Sequence, residues 1–130
     1  MAVTHSTAAR NAATDAVTAL ISTSGKLVFR ISPSTVASPG TAVATLSFSS
    51  TAFGASSSGT ATANAITADT NATGNASPVA FATMQTSGGT IVVQCSVAAS
   101  GSDINMTNGL TVAAGDTVSC SSLTYTALSA

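Results

Sequence analysis

Between Ala9 and Ile21 apolar residues recur at steps of three and four. Ala9, Ala13, Ala16, Val17, Leu20 and Ile21 fall on one stripe, and Asn11, Asp15 and Thr18 fall on the opposite side. Such spacing predicts an amphipathic helix. Thr4 or Ser6 can cap its start, and Gly25 stands just past its end. Alanine side chains bury little area, so a helix this short needs a surface to lie on, its own domain's or a neighbour's.

From Lys26 the period drops to two, with Leu27, Phe29 and Ile31 alternating with Val28 and Arg30 as in a half-buried strand. Pro33 and Pro39 break the chain, a second strand runs through Ala42, Ala44, Leu46 and Phe48, and Phe53 follows as a core anchor. GASSSG reads as a loop, TATANAI as a weakly apolar strand, and DTNATGNASP as a long loop. VAFATMQ and TIVVQCSV flank Ser87-Gly88-Gly89, while INMT and LTVA flank Asn108-Gly109. Both arrangements predict hairpins. In TVSCSSLTYTA, Val118 and Cys120 share one face whereas Leu123, Tyr125 and Ala127 follow the other register, so a bulge is expected near Ser121-Ser122. Seven or so short strands without strand-helix alternation predict a mainly β fold. The expected form is an antiparallel β-sandwich, jelly-roll or Ig-like, over residues 26–130, preceded by an N-terminal helical arm over residues 1–25.

Composition changes the picture at the surface. Charged residues make up 5% of the 130, against about 25% in an ordinary soluble domain. The whole set is Arg10, Asp15, Lys26, Arg30, Asp69, Asp103 and Asp116, giving a net charge of −1 with a mean hydropathy of +0.46. Three scattered cations cannot neutralise a phosphate backbone, which argues against nucleic acid as a partner. Apolar runs far short of about 18–20 residues argue against a membrane-spanning helix, and the hydrophobic content argues against charge-driven disorder. The first residues lack the apolar core of a secretory signal, so synthesis and folding in a cytoplasm are expected.

Candidate chemistry is sparse. His5 is the single imidazole, Glu is absent, and the four Asp residues lie far apart. No nucleophile elbow, phosphate loop or dinucleotide fingerprint occurs. No catalytic, cofactor-binding or metal-ligating residue is therefore expected. Cys95 shares the parity of Ile91, Val93 and Val97, and Cys120 that of Val118, so both read as inward-facing structural thiols, unbonded in a reducing compartment. Asp69, Asn71, Thr73 and Gly74 open like a calcium loop, but Ala80 stands where a bidentate Glu is needed, so a polar turn is expected. Asn71, Asn75 and Asn105 begin N-x-S/T triplets, which accept glycans only in a secreted protein. Thr60 with Thr62, and Thr124 with Thr126, each put two hydroxyls on one strand face. They read as isolated, solvated pairs. Phe29, Phe48, Phe53, Phe81 and Tyr125 read as core rather than as a ligand-stacking platform.

The order of five segments adds a resemblance. MAVTHSTAARNAATDAV, ATLSFSSTAFG, GTATANAI with DTNATG, VAFATMQTSGGTIVVQCSV and GSDINMTNGLTVAAGDTVSCSSLTYTA together resemble small virion structural proteins of tailed bacteriophages, over most of the chain. The resemblance implies a non-enzymatic capsid decoration or cement protein, with a tail component as the alternative. It also implies contacts with the major capsid protein or other virion proteins, a homo-oligomer, and residence in the virion after synthesis in the host bacterial cytoplasm. A β-sandwich adhesin or carbohydrate-binding module shares the fold class and the hydroxyl-rich composition, and would require export. Few charges are available to blunt strand edges, so edges covered by another subunit or by the shell, and an arm docked on a neighbour, are expected.

Overall fold

Helix α1 (Thr7–Ile21) begins where the Ser6 hydroxyl accepts the N–H of Ala9 at 3.1 Å, and it closes at Ser22, ahead of Gly25. Thr23 and Ser24 take the positive φ values that turn the chain out of the helix. The molecule is described over residues 3–128 of a computed structural model.

The helix presents a different side to the core from the one its apolar spacing predicts. Thr14 and Ile21 are fully buried and Thr18 nearly so, whereas Ala9, Ala16 and Leu20 face outward, Leu20 at 60% exposure. The reason lies in the bonds available on the polar side. The Thr14 hydroxyl donates to Gly59 O at 2.6 Å and accepts from the N–H of Ala127 at 3.1 Å. Asn11 Oδ1 accepts from Gly59 N at 2.7 Å, and Asp15 Oδ1 from Ser56 N at 3.0 Å. Satisfying these backbone groups, the buried carbonyl of Gly59 among them, outweighs the small apolar area a row of alanines would bury.

Among the described residues seven strands follow the helix: β1 (Lys26–Ile31), β2 (Ala42–Ser47), β3 (Thr60–Thr62), β4 (Val79–Gln85), β5 (Ile91–Ala98), β6 (Ile104–Asn105) and β7 (Thr124–Thr126). Five form one sheet in the order β2-β1-β4-β5-β6, and β3 pairs with β7 in a separate ribbon. The protein is mainly β with one helix, and its larger sheet is mixed rather than wholly antiparallel, because β6 runs parallel to β5 through Val97 with Ile104 and Ala98 with Asn105. A parallel neighbour normally needs a long crossover. Here the short loop doubles back because the Asp103 carboxylate accepts both the N–H and the hydroxyl of Ser96, at 3.0 and 3.1 Å.

The β4–β5 hairpin forms as its glycines predict, with Gly89 at φ 96° and its N–H on Thr86 O. Asn108-Gly109 turns the chain but does not close a hairpin. Leu110 O instead accepts from Val79 N and Val112 O from Asn75 N, so this stretch runs along residues 75–79 and buries Val112. The parity change in the last strand is present, but its origin differs. Val118 pairs with Asp69, and Ala63 N bonds Leu123 O. The step from Ala63 to Asp69 is six residues and that from Leu123 back to Val118 is five, so the extra residue lies on the opposing stretch.

One face of the large sheet carries the core. Leu27 sits between Leu46 and Met84, and Phe29 between Ala44 and Ala82, with Ile21, Val43 and Val79 closing round them. Phe48 and Phe53 pack at 5.5 Å between ring centroids, tilted by 41°. Phe81 and Tyr125 are only half-buried, Phe81 because it is paired with Arg30 on the opposite face of the sheet. The outer edge of β2 is covered by its own chain rather than left for a neighbour. Ser47 and Thr67 exchange two backbone bonds, Asp69 Oδ2 accepts from Thr45 N at 2.8 Å, and Gly74 N reaches Val43 O.

Candidate functional site

All seven charged side chains bond to neutral partners. The four carboxylates each accept backbone N–H groups: Asp15 from Ser56, Asp69 from Thr45 and Asn71, Asp103 from Ser96, and Asp116 from Ala113. Asp69 Oδ1 on Asn71 N, at 3.0 Å, is the side-chain-to-backbone turn that its loop composition suggests. Lys26 Nζ donates to the Ser47 hydroxyl at 3.0 Å, and Arg10 Nη1 to Ser58 O at 3.3 Å. The Arg10 Nε is buried without a partner among the described residues.

Arg30 sits at the centre of a polar patch on the sheet face away from the core. Its Nε donates to the buried Thr83 hydroxyl at 3.0 Å, Nη1 to Gly40 O at 2.7 Å, and Nη2 to Gln85 Oε1 at 3.1 Å. Beside it, Ser34 Oγ donates to Gln94 Oε1 and accepts from Gly40 N, while Gln94 Nε2 returns to Ser34 O. The two clusters hold the Pro-containing loop of residues 32–41 down on the sheet. Burial lowers the Arg30 pKa from its ordinary value.

The cysteines are unbonded and half-buried, each packed against the core. Burial, reinforced by the negative charge of Asp103, pushes the Cys95 thiol up to about 11. Burial also raises the Cys120 thiol, opposed by backbone hydrogen bonding from Ser122. Neither environment favours a nucleophilic thiolate. His5 stands in the exposed stretch ahead of α1. Among the described residues no three His, Cys, Asp or Glu side chains come together in a set that could hold a metal ion.

The threonines come together in a way that the sequence spacing does not disclose. Thr60 faces Thr126 and Thr62 faces Thr124 across the β3–β7 ribbon, with the Thr60 and Thr126 hydroxyls 2.6 Å apart. Two isolated pairs thus become one four-hydroxyl patch. It is small, and Tyr125 opposite Ala61 lies on the other face.

A cleft of about 610 Å³ lies between residues 103–112 and 116–124. Phe29, Met106, Val112, Val118 and Leu123 supply its apolar lining, and Asp103 and Asp116 its charges. A smaller one, of about 330 Å³, separates residues 63–66 from residues 120–123. The chain from Cys120 to Leu123 is therefore a thin wall with open space on both sides. Composition held no signal for this cleft, because it is made of loop backbone from segments that the topology brings together. In comparisons with known proteins, no protein-family model, curated protein or solved structure matches the chain.

Proposed function

We propose that the chain is a non-enzymatic structural protein of a tailed-bacteriophage virion, a capsid decoration or cement protein that binds the outer shell through protein–protein contacts on a sandwich-type β scaffold. The reading starts from the resemblance in segment order. The observation that carries it furthest is the fate of the charges: every charged side chain is engaged with neutral groups of its own fold, where catalysis would need one tuned and presented to a substrate. The outward face of α1, with Ala8, Ala12, Ala16, Ala19 and Leu20, adds an uncharged, weakly polar surface that loses little solvation energy on contact. Many copies on a symmetric shell would make modest single contacts sufficient.

Quantitative mass spectrometry of purified particles tests this reading. A fixed ratio to the major shell protein, near one copy per subunit or per cluster of subunits, supports decoration. A handful of copies per particle would move the protein to the tail, and absence from particles would refute the virion reading altogether.

A further inference from the structure

We propose that Asn108 is a site of spontaneous deamidation, at which the Gly109 nitrogen attacks the Asn108 carboxamide and turns a neutral stretch of the cleft lining into an anionic one. The reaction requires no partner, so it is independent of the virion reading.

Two groups must be free for this chemistry, the side-chain carboxamide and the nitrogen of the next residue. Of the six asparagines in the chain, the five besides Asn108 have at least one of the two engaged. Asn11 Oδ1 accepts from Gly59 N, Asn64 Nδ2 donates to Thr51 O, Asn75 Oδ1 accepts from Ser77 N and Asn105 Oδ1 from Ser102 N. For Asn71 it is the following nitrogen, since the N–H of Ala72 is held by Asp116 O. Those five are also followed by Ala or Met, whose β-carbons crowd the approach. Asn108 is exposed, and its carboxamide makes no hydrogen bond among the described residues. Gly109 brings no β-carbon, and one built there would meet nothing within 4 Å beyond its chain neighbours. Any hold on its nitrogen comes from the two-residue turn of Thr107 and Asn108, and local opening of such an exposed turn costs little.

Water is the one co-reactant. The Gly109 nitrogen loses its proton to hydroxide and forms a bond to Asn108 Cγ, an attack favoured because nucleophile and carbonyl belong to adjacent residues. The Cγ–Nδ2 bond then breaks, and ammonia departs with a proton returned by water, leaving a five-membered succinimide. Water opens that ring at either carbonyl. One opening gives an aspartyl residue, the other an isoaspartyl link in which the main chain runs through the side-chain carbon. Either product is a carboxylate at neutral pH, in a lining that already holds Asp103 and Asp116 and no cation. The net charge of −1 becomes one unit more negative. The isoaspartyl link also lengthens the main chain between two anchored points, Met106, whose N–H is held by Ala98 O, and Leu110, whose carbonyl holds the N–H of Val79.

The test is incubation of the intact protein at mildly alkaline pH for several weeks, followed by peptide mapping with mass spectrometry and isoaspartyl detection. Position 108 should convert at least about tenfold faster than any other asparagine, to a mixture of aspartyl and isoaspartyl forms. Its rate should rise in proportion to hydroxide. Asn108→Gln, whose ring would need six members, should leave that segment unconverted with the circular dichroism of the protein unchanged. An unconverted position 108 in the folded protein would overturn the inference, and conversion of a parallel sample in urea would assign the failure to a turn that keeps the Gly109 nitrogen out of reach. A purely aspartyl product, which marks direct hydrolysis of the carboxamide, would overturn it too, as would equal rates at the other five asparagines. None of these readouts involves particles, so the modification and the virion assignment can fail separately.

Discussion

Replacing Thr14 by Val keeps the shape of the side chain and removes one hydroxyl, and it isolates what holds α1 to the β structure. That hydroxyl donates to Gly59 O at 2.6 Å and accepts from Ala127 N at 3.1 Å, in a side chain with no exposed surface. Each intramolecular bond is worth about 0.5–1.5 kcal/mol net, and a buried group left without a partner costs about 1–3 kcal/mol. Gly59 is buried and Ala127 half-buried, so the sum comes to about 2–4 kcal/mol. Unfolding entropy near 2.1 cal/mol/K per residue over 130 residues makes each kcal/mol worth about 4 °C, so the Tm should fall by about 7–15 °C. Leu20→Gln is the companion, because it alters the largest side chain on the outward face and preserves helix propensity. It should cost under about 0.5 kcal/mol. Urea and thermal unfolding followed by circular dichroism, under reducing conditions, measure both. If Leu20→Gln proved as costly as Thr14→Val, the helix would be docking by its alanine stripe and the hydrogen-bond account would be wrong.

Three further outcomes are expected. The Cys95 thiol is raised from 9.0 to about 11 in the folded protein, so folding favours its protonated form. The stability this contributes is intact below pH 9 and is lost between about pH 9 and 11, up to about 3 kcal/mol, and Cys95→Ala should flatten that part of the urea-midpoint profile. Arg30→Met should free the loop of residues 32–41 for cleavage by a nonspecific protease, and Arg30→Lys should rescue it only in part, because a single ammonium cannot reach Thr83, Gly40 and Gln85 in a fixed fork. Asp69→Ala should cost about 1–3 kcal/mol in urea unfolding and speed amide exchange at Thr45 and Asn71, whereas Asp69→Asn, which keeps an acceptor oxygen, should cost less.

The parts of this fold that can be read from the sequence are those where one local signal has no competitor. Period-two alternation locates β1, and Ser87-Gly88-Gly89 locates the β4–β5 turn, because both the strand pattern and the glycine conformation point the same way. The start of α1 is legible to within a choice between Thr4 and Ser6, of which Ser6 makes the capping bond. The face that α1 buries is not, because alanine spacing competes with Thr14, Asn11 and Asp15, whose partners lie more than forty positions away. Asn108-Gly109 marks a real turn, but the pairing of its arms depends on Asn75 and Val79, which no local window contains. The cleft is illegible on similar grounds: its two segments are set in place by pairings with Ala63, Asp69, Asn75 and Val79, all far away in sequence.

The internal bonding of the seven charges has a kinetic consequence. Carboxylates held on backbone N–H groups and cations held on carbonyl and hydroxyl oxygens leave the molecule with a weak outer field at a net charge of −1. Electrostatic steering can raise protein encounter rates by orders of magnitude, and this chain has little with which to steer. Its association should proceed at the unassisted rate of about 10⁵–10⁶ M⁻¹s⁻¹ and change little with ionic strength. Correct placement on any partner then depends on shape found during contact, and a dense, repeating target would compensate by offering many nearby chances to find it.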